Sequence, residues 1–289
     1  MADPRFSILL PTHNRPEVLK FAIASVLAQT RQDWELLVVG DGCTDGTADL
    51  MARYDDPRIR WFDLPKGPGF GYGNRNIALR EAKGELIAFL GHDNLYFRDH
   101  LDRMDAMFAQ PGVAFAYSRP LFIDDDGVIV PFYVNLQLNR VRREFKLLSN
   151  ILPATPIVHR RQCLDEVGYW DETMESQADW DLWKRIFTAY PAGIRLQRLP
   201  TCLHFRASWR KDKVWAPAPY SYFRAMHAHG AWYPKPFDLN FPQGGPLAQE
   251  RVWEMMVAEP NQFVAQLRAN CDILEDHLAW SASMDQNFR

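Results

Sequence analysis

The sequence predicts an α/β fold in which one mostly parallel sheet is flanked by helices, with an antiparallel extension and a helical C-terminal part. Three observations predict it. Short apolar runs alternate with amphipathic segments over residues 5–91, the pattern of strands joined by helical crossovers. Two runs on either side of a glycine turn within 113–134 suit an antiparallel pair. Two helical segments, about 246–257 and 260–279, close the chain.

The N-terminal part contains the parallel strands. Strands are expected at 5–11, 34–40, 58–64 and 85–91, and helices at 16–29, 46–55 and 72–83. Pro16 begins the first helix, where proline's fixed φ is favoured, and Gly84 follows the third. Strands joined by such crossovers pair in parallel. This half therefore predicts a sheet of the nucleotide-binding type.

The pattern changes beyond residue 110. The segment 147–170 is mixed, a helix is expected at 179–190, and short strands are expected at 194–200 and 202–206. A stretch rich in proline and aromatic residues, 215–245, is expected to be irregular. The sequence contains no internal repeat.

Composition limits the classes of function. With 289 residues, 47% of them hydrophobic, the chain can form one large domain or two small ones. A formal charge of −3 without a basic block excludes nucleic-acid binding through bulk charge. Four widely spaced cysteines, at 43, 163, 202 and 271, indicate reduced, packed thiols. No apolar stretch approaches the roughly 18 residues of a membrane span, so a cytoplasmic chain without a transmembrane segment is expected.

Small basic clusters leave contact with a membrane surface open. Arg142, Arg143 and Lys146 form one cluster, and a second lies within 206–213. Either cluster faces lipid headgroups or phosphates, or belongs to ordinary solvated surface.

Polar residues follow the predicted parallel strands. Thr12 and Asn14 come after the first strand, Asp41 after the second and Asp93 after the fourth. The carboxyl ends of parallel strands meet at one edge of a sheet, where ligands bind. Glycines within 40–47 and 67–76 permit tight turns beside a ligand, although such loops are as often plain turns. A binding site is therefore expected at this edge.

Four segments, in order, resemble the inverting glycosyltransferases of family 2. They read "SILLPTHNRPEVLKFAIASVLAQT", "WELLVVGDGCTDGT", "GNRNIALREAKGELIAFLGHDN" and "DWDLWKRI", within residues 5–206. The resemblance implies a GT-A fold with a single Rossmann-like sheet, and a nucleotide-diphospho-sugar donor. It divides the chain into a glycosyltransferase domain, 1–215, and a C-terminal segment, 216–289, packed on it. The nucleotide-binding half would be about 1–110 and the acceptor half about 111–215.

The resemblance also implies a divalent cation, Mn²⁺ or Mg²⁺. In the family, the fourth strand ends in an Asp-x-Asp motif whose carboxylate holds the metal against the sugar diphosphate. Here Gly91 replaces the first Asp, Asp93 stands at the second, and Asn94 replaces a frequent following Asp. Asp93 is thus the implied metal ligand. His204 is implied as a further ligand, with a structural role as the alternative. His92 is a second ligand, a hydrogen-bond donor to phosphate, or neither.

The remaining implied roles concern the nucleotide. Pro11, Thr12 and Asn14 fall in the first motif, and Arg75 matches the arginine of the family's "RN" pair. Asp41 matches the acid that holds the base or ribose, although a turn or capping role is the alternative. Gly40 stands where many relatives have another Asp. The nucleoside of the donor is therefore left open among uridine, guanosine and thymidine.

Asp179 is the implied catalytic base. An acceptor hydroxyl needs a carboxylate within hydrogen-bond reach to take its proton. "QADWDLWKR" resembles the family's "EDWDLWLR", with Ala178 in place of the usual Glu. The alternative is an acid that only interacts with the dipole of its helix. Arg206 and Arg210 are implied phosphate contacts in a closing loop over 205–215, and the aromatic stretch 220–237 either binds acceptor or packs on the sheet.

The favoured function is an inverting transferase of the hexosyltransferase type in glycan biosynthesis, using a UDP-sugar and a glycan, lipid-linked or small-molecule acceptor. A nucleotide-sugar-binding relative with impaired catalysis is the alternative, because Gly91, Gly40 and Ala178 replace family acids. A sugar nucleotidyltransferase is less favoured, because the first strand lacks a G-x-G-x-R signature. Peripheral contact with the inner membrane face and a homodimer are left open.

Overall fold

The computed structural model describes residues 3–119, 121–123, 127–131, 134–148, 150–205, 239, 241 and 247–272. Within them, the strands are β1 (Phe6–Thr12), β2 (Trp34–Asp41), β3 (Ile59–Leu64), β4 (Leu86–Phe89), β5 (Leu95–Tyr96), β6 (Phe115–Ser118), β7 (Leu121–Ile123), β8 (Ile129–Pro131), β9 (Ile157–Arg160), β10 (Ile194–Gln197) and β11 (Cys202–Phe205). The helices are α1 (Pro16–Leu27), α2 (Thr47–Met51), α3 (Tyr72–Arg80), α4 (His100–Met107), α5 (Asn139–Leu147), α6 (Gln162–Val167), α7 (Ala178–Ala189), α8 (Ala248–Ala258) and α9 (260–272).

The main sheet has seven strands in the order β10-β6-β9-β4-β1-β2-β3. The predicted parallel pairing is confirmed, because β1 pairs in parallel with both β2 and β4, and β2 with β3. Only β9 runs antiparallel to its neighbours in this sheet. The chain leaves β1 towards β2 on one side and returns to β4 on the other. The crevice at the carboxyl ends of β1 and β4 is therefore the switch point where open α/β sheets bind ligands.

Helices cover both faces of this sheet. Leu37 and Val39 of β2 belong to an apolar core formed with α3, α5, α6 and α7. Leu36 and Val38 point to the opposite core, formed with α1, α2 and α4. A strand buried on both faces reads as a continuous apolar run, which is why β1, β2 and β4 are legible in the sequence.

A second sheet has the order β5-β11-β7-β8 and packs against the C-terminal helices. It is mixed and not purely antiparallel as expected, because β11 and β7 pair in parallel while β5–β11 and β7–β8 are antiparallel. Its strands share a core with Val252 of α8 and with Leu267 and Cys271 of α9. The expectation of two strands within 113–134 is corrected, since three strands occur there and β6 joins the main sheet. Only β7 and β8 form the expected antiparallel pair.

Several expectations about elements differ from the structure. Helices expected at 16–29, 46–55 and 72–83 end earlier, and the strand expected at 85–91 ends at Phe89. Short elements within 95–107 and 139–167 were not assigned from the sequence, among them α5 and β9. The segment 206–238, with the expected closing loop, Arg206, Arg210 and the aromatic stretch, lies outside the described residues.

The four cysteines are all free thiols, as expected, and only Cys43 is partly exposed. Among the described residues, no helix combines the length and the apolar character that crossing a membrane requires.

Candidate active site

The loop after β1 forms one wall of the crevice. Pro11 is half-buried in β1 and Thr12, at its end, is buried. Asn14 has a left-handed backbone conformation, with φ 51°. Its side chain accepts from the backbone N–H of Thr44 at 2.8 Å and donates to the Thr44 hydroxyl at 3.2 Å. Asn14 therefore joins the loops after β1 and β2, which places three predicted site residues on one wall.

Asp41, at the end of β2, is a buried carboxylate surrounded by donors. Its Oδ1 accepts from the backbone N–H of Gly67 at 2.8 Å and from Asn74 at 2.7 Å, and its Oδ2 pairs with Lys66. Burial raises the pKa of Asp41, but Lys66 and the two hydrogen bonds outweigh it and hold that pKa below its usual range. Asp41 is thus a charged anchor for the glycine-rich loop that leads into α3.

The glycine loop depends on close contact with this carboxylate. Gly71 has φ +70°, and a Cβ added there would lie 2.5 Å from the Asp41 carboxyl carbon. Only glycine meets both requirements, the left-handed backbone and the missing side chain. The glycines at this loop therefore serve the position of α3 behind Asp41.

Successive residues of α3 have different partners. Asn74 binds Asp41 and the Pro65 carbonyl, and Asn76 exchanges hydrogen bonds with the backbone of Trp170 at 2.8 and 3.1 Å. Between them, the Arg75 guanidinium lies over the Tyr72 ring at 5.3 Å and the Trp170 ring at 4.9 Å. Among the described residues, no side chain forms a hydrogen bond or an ion pair with this guanidinium.

Arg75 is nevertheless at the electrostatic centre of the site. Burial lowers the pKa of its guanidinium, opposed by the charges of Tyr72, Asp179 and Asp41. The charge of Arg75 also lowers the pKa of His92. A half-buried cation without an anionic partner favours binding of an anion, and a guanidinium suits phosphate oxygens.

The polar residues in the loop after β4 have different contacts. His92 Nδ1 lies 3.2 Å from the Thr12 hydroxyl, and burial lowers the pKa of His92, opposed by Asp93. Asp93 is half-buried, and no described residue donates a hydrogen bond to its carboxylate. Its backbone carbonyl accepts from Gln249 of α8 at 3.3 Å. Asp93 therefore differs from Asp41, whose carboxylate the protein itself occupies.

Asn94 connects three parts of the fold. Its Nδ2 donates to the Thr155 hydroxyl at 2.7 Å, and its Oδ1 accepts from the backbone N–H of Phe205 at 2.9 Å. A Cβ added at Gly91 would lie 2.5 Å from this Nδ2. The glycine at the first position of the reduced family motif thus makes room for the Asn94 amide.

His204 contacts the same amide. Its Nδ1 lies 3.1 Å from Asn94 Nδ2, and the bond from Phe205 fixes which end of the amide faces the ring. Nδ1 therefore accepts, and Nε2 bears the ring proton. In this tautomer Nε2 carries the proton, whereas a nitrogen that binds a metal must be unprotonated. The predicted metal-ligand role of His204 would therefore require the loss of that proton.

Asp179 lies in the first turn of α7. Its Oδ1 accepts from the Trp180 backbone N–H at 2.8 Å, and Asn150 approaches Oδ2 at 3.4 Å. Burial raises the pKa of Asp179 above its usual range, although the Trp180 N–H and Arg75 oppose the shift. A carboxylate that is half-buried, oriented and more basic than usual suits a general base. Asp179 is also an acid in the first turn of its helix, so its geometry is compatible both with a catalytic base and with an acid that interacts with the helix dipole.

The other conspicuous residues of α7 are structural. Asp181 pairs with Arg185 at 2.8 Å, and Arg185 also donates to the carbonyl groups of Gly168 and Tyr169. Trp183 is fully buried in the core. Trp180 is half-buried and donates to the Phe145 carbonyl at 2.7 Å.

The donor set at the crevice fits only a cation that is shared with a ligand. Within the described residues, no group of three or more His, Cys, Asp or Glu side chains is placed to hold a metal ion. Among the described residues, Asp93 has a carboxylate there that accepts no hydrogen bond from the protein. Mg²⁺ commonly binds through one or two carboxylates while phosphate and water complete its shell, so Asp93 fits a cation held jointly with a diphosphate.

The structure brings most predicted site residues to one edge and adds others. Partners that the sequence analysis did not single out are Lys66, Asn74, Asn150, Thr155, Trp170 and Gln249. Asn74 flanks Arg75 in the "GNRN" segment and was legible there. The others come from distant segments, and no local pattern marks them.

Comparison with known proteins yields one family. Residues 7–163 match the model described as "Glycosyl transferase family 2". The chain is 32% identical over 132 residues to the "UDP-Glc:alpha-D-GlcNAc-diphosphoundecaprenol beta-1,3-glucosyltransferase WfgD" of Escherichia coli, covering 46% of this chain and 52% of that protein. It is 27% identical over 191 residues to the "Putative teichuronic acid biosynthesis glycosyltransferase TuaG" of Bacillus subtilis, covering 65% and 75%. The chain thus spans about half the length of the first relative and three quarters of the second.

A solved structure has a similar fold. The S. aureus TarS fragment 1-349 in complex with UDP-GlcNAc superposes with a TM-score of 0.58 and 20% identity, covering 78% of this chain and 65% of that chain. This likeness concerns the architecture, a mostly parallel sheet with flanking helices and a second small sheet.

Proposed function

Because this chain belongs to glycosyltransferase family 2, we propose that it transfers a sugar from a nucleotide-diphosphate donor to an acceptor hydroxyl, with inversion at the anomeric carbon. The observation that carries the proposal is the position of Arg75. Its guanidinium is within electrostatic reach of Asp41, Asp179 and His92, and it forms no ion pair with a described residue. A cation between Asp41, the proposed nucleotide contact, and Asp179, the proposed catalytic base, suits the diphosphate of a bound donor.

The donor is proposed to be a UDP-sugar held at Asp41. A carboxylate offers about four acceptor sites, and the protein fills three at Asp41, from Gly67, Asn74 and Lys66. One site remains for a ribose hydroxyl or a base N–H. The name of the E. coli relative begins with UDP-Glc, which supports uridine as the nucleoside and a hexose as the sugar.

The proton of the acceptor hydroxyl is proposed to go to Asp179. Asn150 and the Trp180 N–H orient its two oxygens, and the raised pKa makes it a better base than an exposed aspartate. Direct displacement by the hydroxyl oxygen then forms the new glycosidic bond as the bond to the diphosphate breaks. The configuration at the anomeric carbon inverts.

Asp93 is proposed to hold Mg²⁺ or Mn²⁺, which when bound would stabilise the negative charge that develops on the departing diphosphate. Arg75 is proposed to donate to the same oxygens. Positively charged groups and donors that are already oriented there lower the barrier electrostatically.

The three departures from the family pattern have local explanations that support an active enzyme. The Asn94 amide fills the space beside Gly91, and the Trp61 ring lies 2.3 Å from a Cβ placed on Gly40. Ala178 is fully buried at the start of α7. Each missing acid is thus replaced by packing, while Asp41, Asp93 and Asp179 remain.

The acceptor is proposed to be lipid-linked, since the E. coli relative is named for a diphosphoundecaprenol acceptor and the B. subtilis relative for teichuronic acid biosynthesis. The chain would then work at the inner face of a membrane.

The test is nucleoside diphosphate release from UDP-, GDP- and dTDP-sugars with Mn²⁺ or Mg²⁺ and a polyprenyl-diphosphate-linked sugar. We expect metal-dependent release from a UDP-sugar, reduced by about 10²-fold or more in Asp179→Asn and Asp93→Asn. Asp49→Asn, in the first turn of α2, is the matched control, because Asp49 is the same kind of first-turn acid and is exposed.

Two outcomes would contradict the proposal. Calorimetric binding of a UDP-sugar without turnover on any acceptor would favour the binding-only relative. Release of pyrophosphate instead of nucleoside diphosphate would identify a nucleotidyltransferase.

A further inference from the structure

Helix α5 and its ends are more basic than the rest of the chain and expose large apolar side chains. Residues 138–148 contain four basic side chains and one acidic one, a net charge of +3, in a chain whose formal charge is −3. Leu138, Leu147 and Leu148 are exposed by 55%, 65% and 75%. Exposed leucines are unfavourable in water unless a partner covers them.

The exposed residues share one side of the helix. Residues three or four apart on a helix lie on the same face, so Arg140, Arg143, Lys146 and Leu147 form one stripe, with the exposed Glu144 at its edge. Phe145 points the other way and is fully buried in the core. Arg142 is also on the protein side, since it donates to the Leu136 and Pro191 carbonyls.

The basic side chains of this stripe are uncommitted. Within the described part of the chain, Arg140, Arg143 and Lys146 form no ion pair. By contrast, Arg31, Arg58, Arg160 and Arg268 each pair with a carboxylate. A stripe of unpaired cations flanked by leucines is complementary to a surface with anionic headgroups over an apolar layer.

Helix α5 adjoins the proposed base. The Phe145 carbonyl of α5 accepts from Trp180, the residue after Asp179. Two residues beyond Leu148, Asn150 contacts Asp179 itself. A surface bound to α5 would therefore lie beside the acceptor end of the site.

We propose that α5 with Leu138 and Leu148 is a docking surface for an anionic phospholipid membrane, with the leucines inserted among the headgroups and Arg140, Arg143 and Lys146 at their phosphates. The proposal depends on the proposed function only for its purpose, which is to bring Asp179 to a lipid-linked acceptor at the membrane. The docking itself involves neither donor nor metal, so it can fail or succeed independently of catalysis.

The test is co-sedimentation of the full chain, without nucleotide, with phosphatidylcholine vesicles and with vesicles of equal parts phosphatidylcholine and phosphatidylglycerol. We expect binding to the anionic vesicles that weakens with added salt. Two basic residues near an anionic surface together account for about a thirtyfold change in affinity. Arg140→Gln/Arg143→Gln should lose about that much, whereas the control Arg53→Gln/Arg98→Gln changes the charge equally and should retain binding.

A second pair of variants tests the apolar contribution to binding. Leu147→Gln/Leu148→Gln should weaken vesicle binding severalfold, whereas Met255→Gln/Val257→Gln, on the exposed side of α8, should not. Circular dichroism should show all four variants folded.

Equal sedimentation of Arg140→Gln/Arg143→Gln and its control, or equal binding to neutral and anionic vesicles, would overturn the proposal. So would a leucine variant that converts a dimer to a monomer in analytical ultracentrifugation without losing vesicle binding, because the face would then join two copies of the chain.

Discussion

Asp179 is the residue whose ionisation should govern the pH dependence of transfer. Its pKa is raised mainly by burial, so the carboxylate form needed for proton abstraction is lost at a higher pH than for an exposed aspartate. We expect kcat/KM to fall as pH decreases through this raised pKa. Asp179→Asn should be inactive throughout.

The same residue predicts an effect on stability with a definite sign. A carboxyl group whose folded pKa exceeds its unfolded pKa stabilises the fold below the unfolded pKa, and this contribution is lost as pH rises through the folded pKa. Asp179→Asn cannot ionise and retains an acceptor for the Trp180 N–H. We therefore expect its Tm to equal or exceed that of the wild type near pH 8, with the difference shrinking as pH falls.

Asp181→Asn is the matched control for this measurement, since it loses the ion pair with Arg185 and should lower Tm while retaining activity. Thermal unfolding at several pH values, beside the kinetic profile, checks both signs. The account would be refuted if Asp179→Asn had a lower Tm than the wild type and if the wild-type kcat/KM fell only at the pH typical of an exposed aspartate.

At the scale of elements, Asn94 holds β4, β9 and β11 together through Thr155, His204 and Phe205. Gly91 and Asn94 pack as a pair, because the amide occupies the space that a side chain at 91 would need. At the two positions where the resemblance implies acids, the chain thus has in exchange a glycine and an amide that fit together.

This exchange predicts non-additive mutations. Gly91→Ala should destabilise by about 1–3 kcal/mol, because its Cβ displaces the buried Asn94 amide. In an Asn94→Ala background most of that cost should disappear, which a double-mutant cycle of urea unfolding measures. Gly46→Ala meets nothing within 4 Å and should be nearly neutral. Equal costs in both backgrounds would contradict the coupling.

At the scale of the whole molecule, the parallel half was predictable, and so were α7, α8, β10 and β11, whereas β5, β9, α4 and α5 were not. Runs such as "WELLVVG" are legible because both faces of β2 are buried, and the GT-A fold that the resemblance implied is confirmed. β9 has only four residues and lies between β4 and β6 as an antiparallel strand. Neither its partners nor its direction can be seen in a local pattern.

The same reason limits what could be predicted of the site. Asp41 and Asp93 follow strands in the chain, so their shared edge was deducible from parallel pairing. Lys66 and Trp170 approach Asp41 and Arg75 only through the tertiary fold. The tautomer of His204 depends on a backbone N–H next to it and an amide 110 residues away.

Among the described residues, one hydrogen bond joins the C-terminal helices to the site, from Gln249 to the Asp93 carbonyl. We expect Gln249→Ala to weaken donor binding by up to about tenfold, since a hydrogen bond contributes about 0.5–1.5 kcal/mol. kcat should change less than KM, because only the position of the loop is affected. Gln262→Ala, exposed on α9, is the control, and an equal KM in the two variants would show that α8 does not position the loop.

The distribution of thiols has a practical consequence. Burial raises the pKa of Cys163 and Cys202 to about 12 each, and Cys271 is buried as well. Cys43 alone is partly exposed, and its Sγ lies 3.8 Å from the Thr12 carbonyl, between the loops after β1 and β2. The native chain thus offers a single attachment point for a fluorine or spin label. That label would report from the edge of the crevice without any cysteine having to be added or removed.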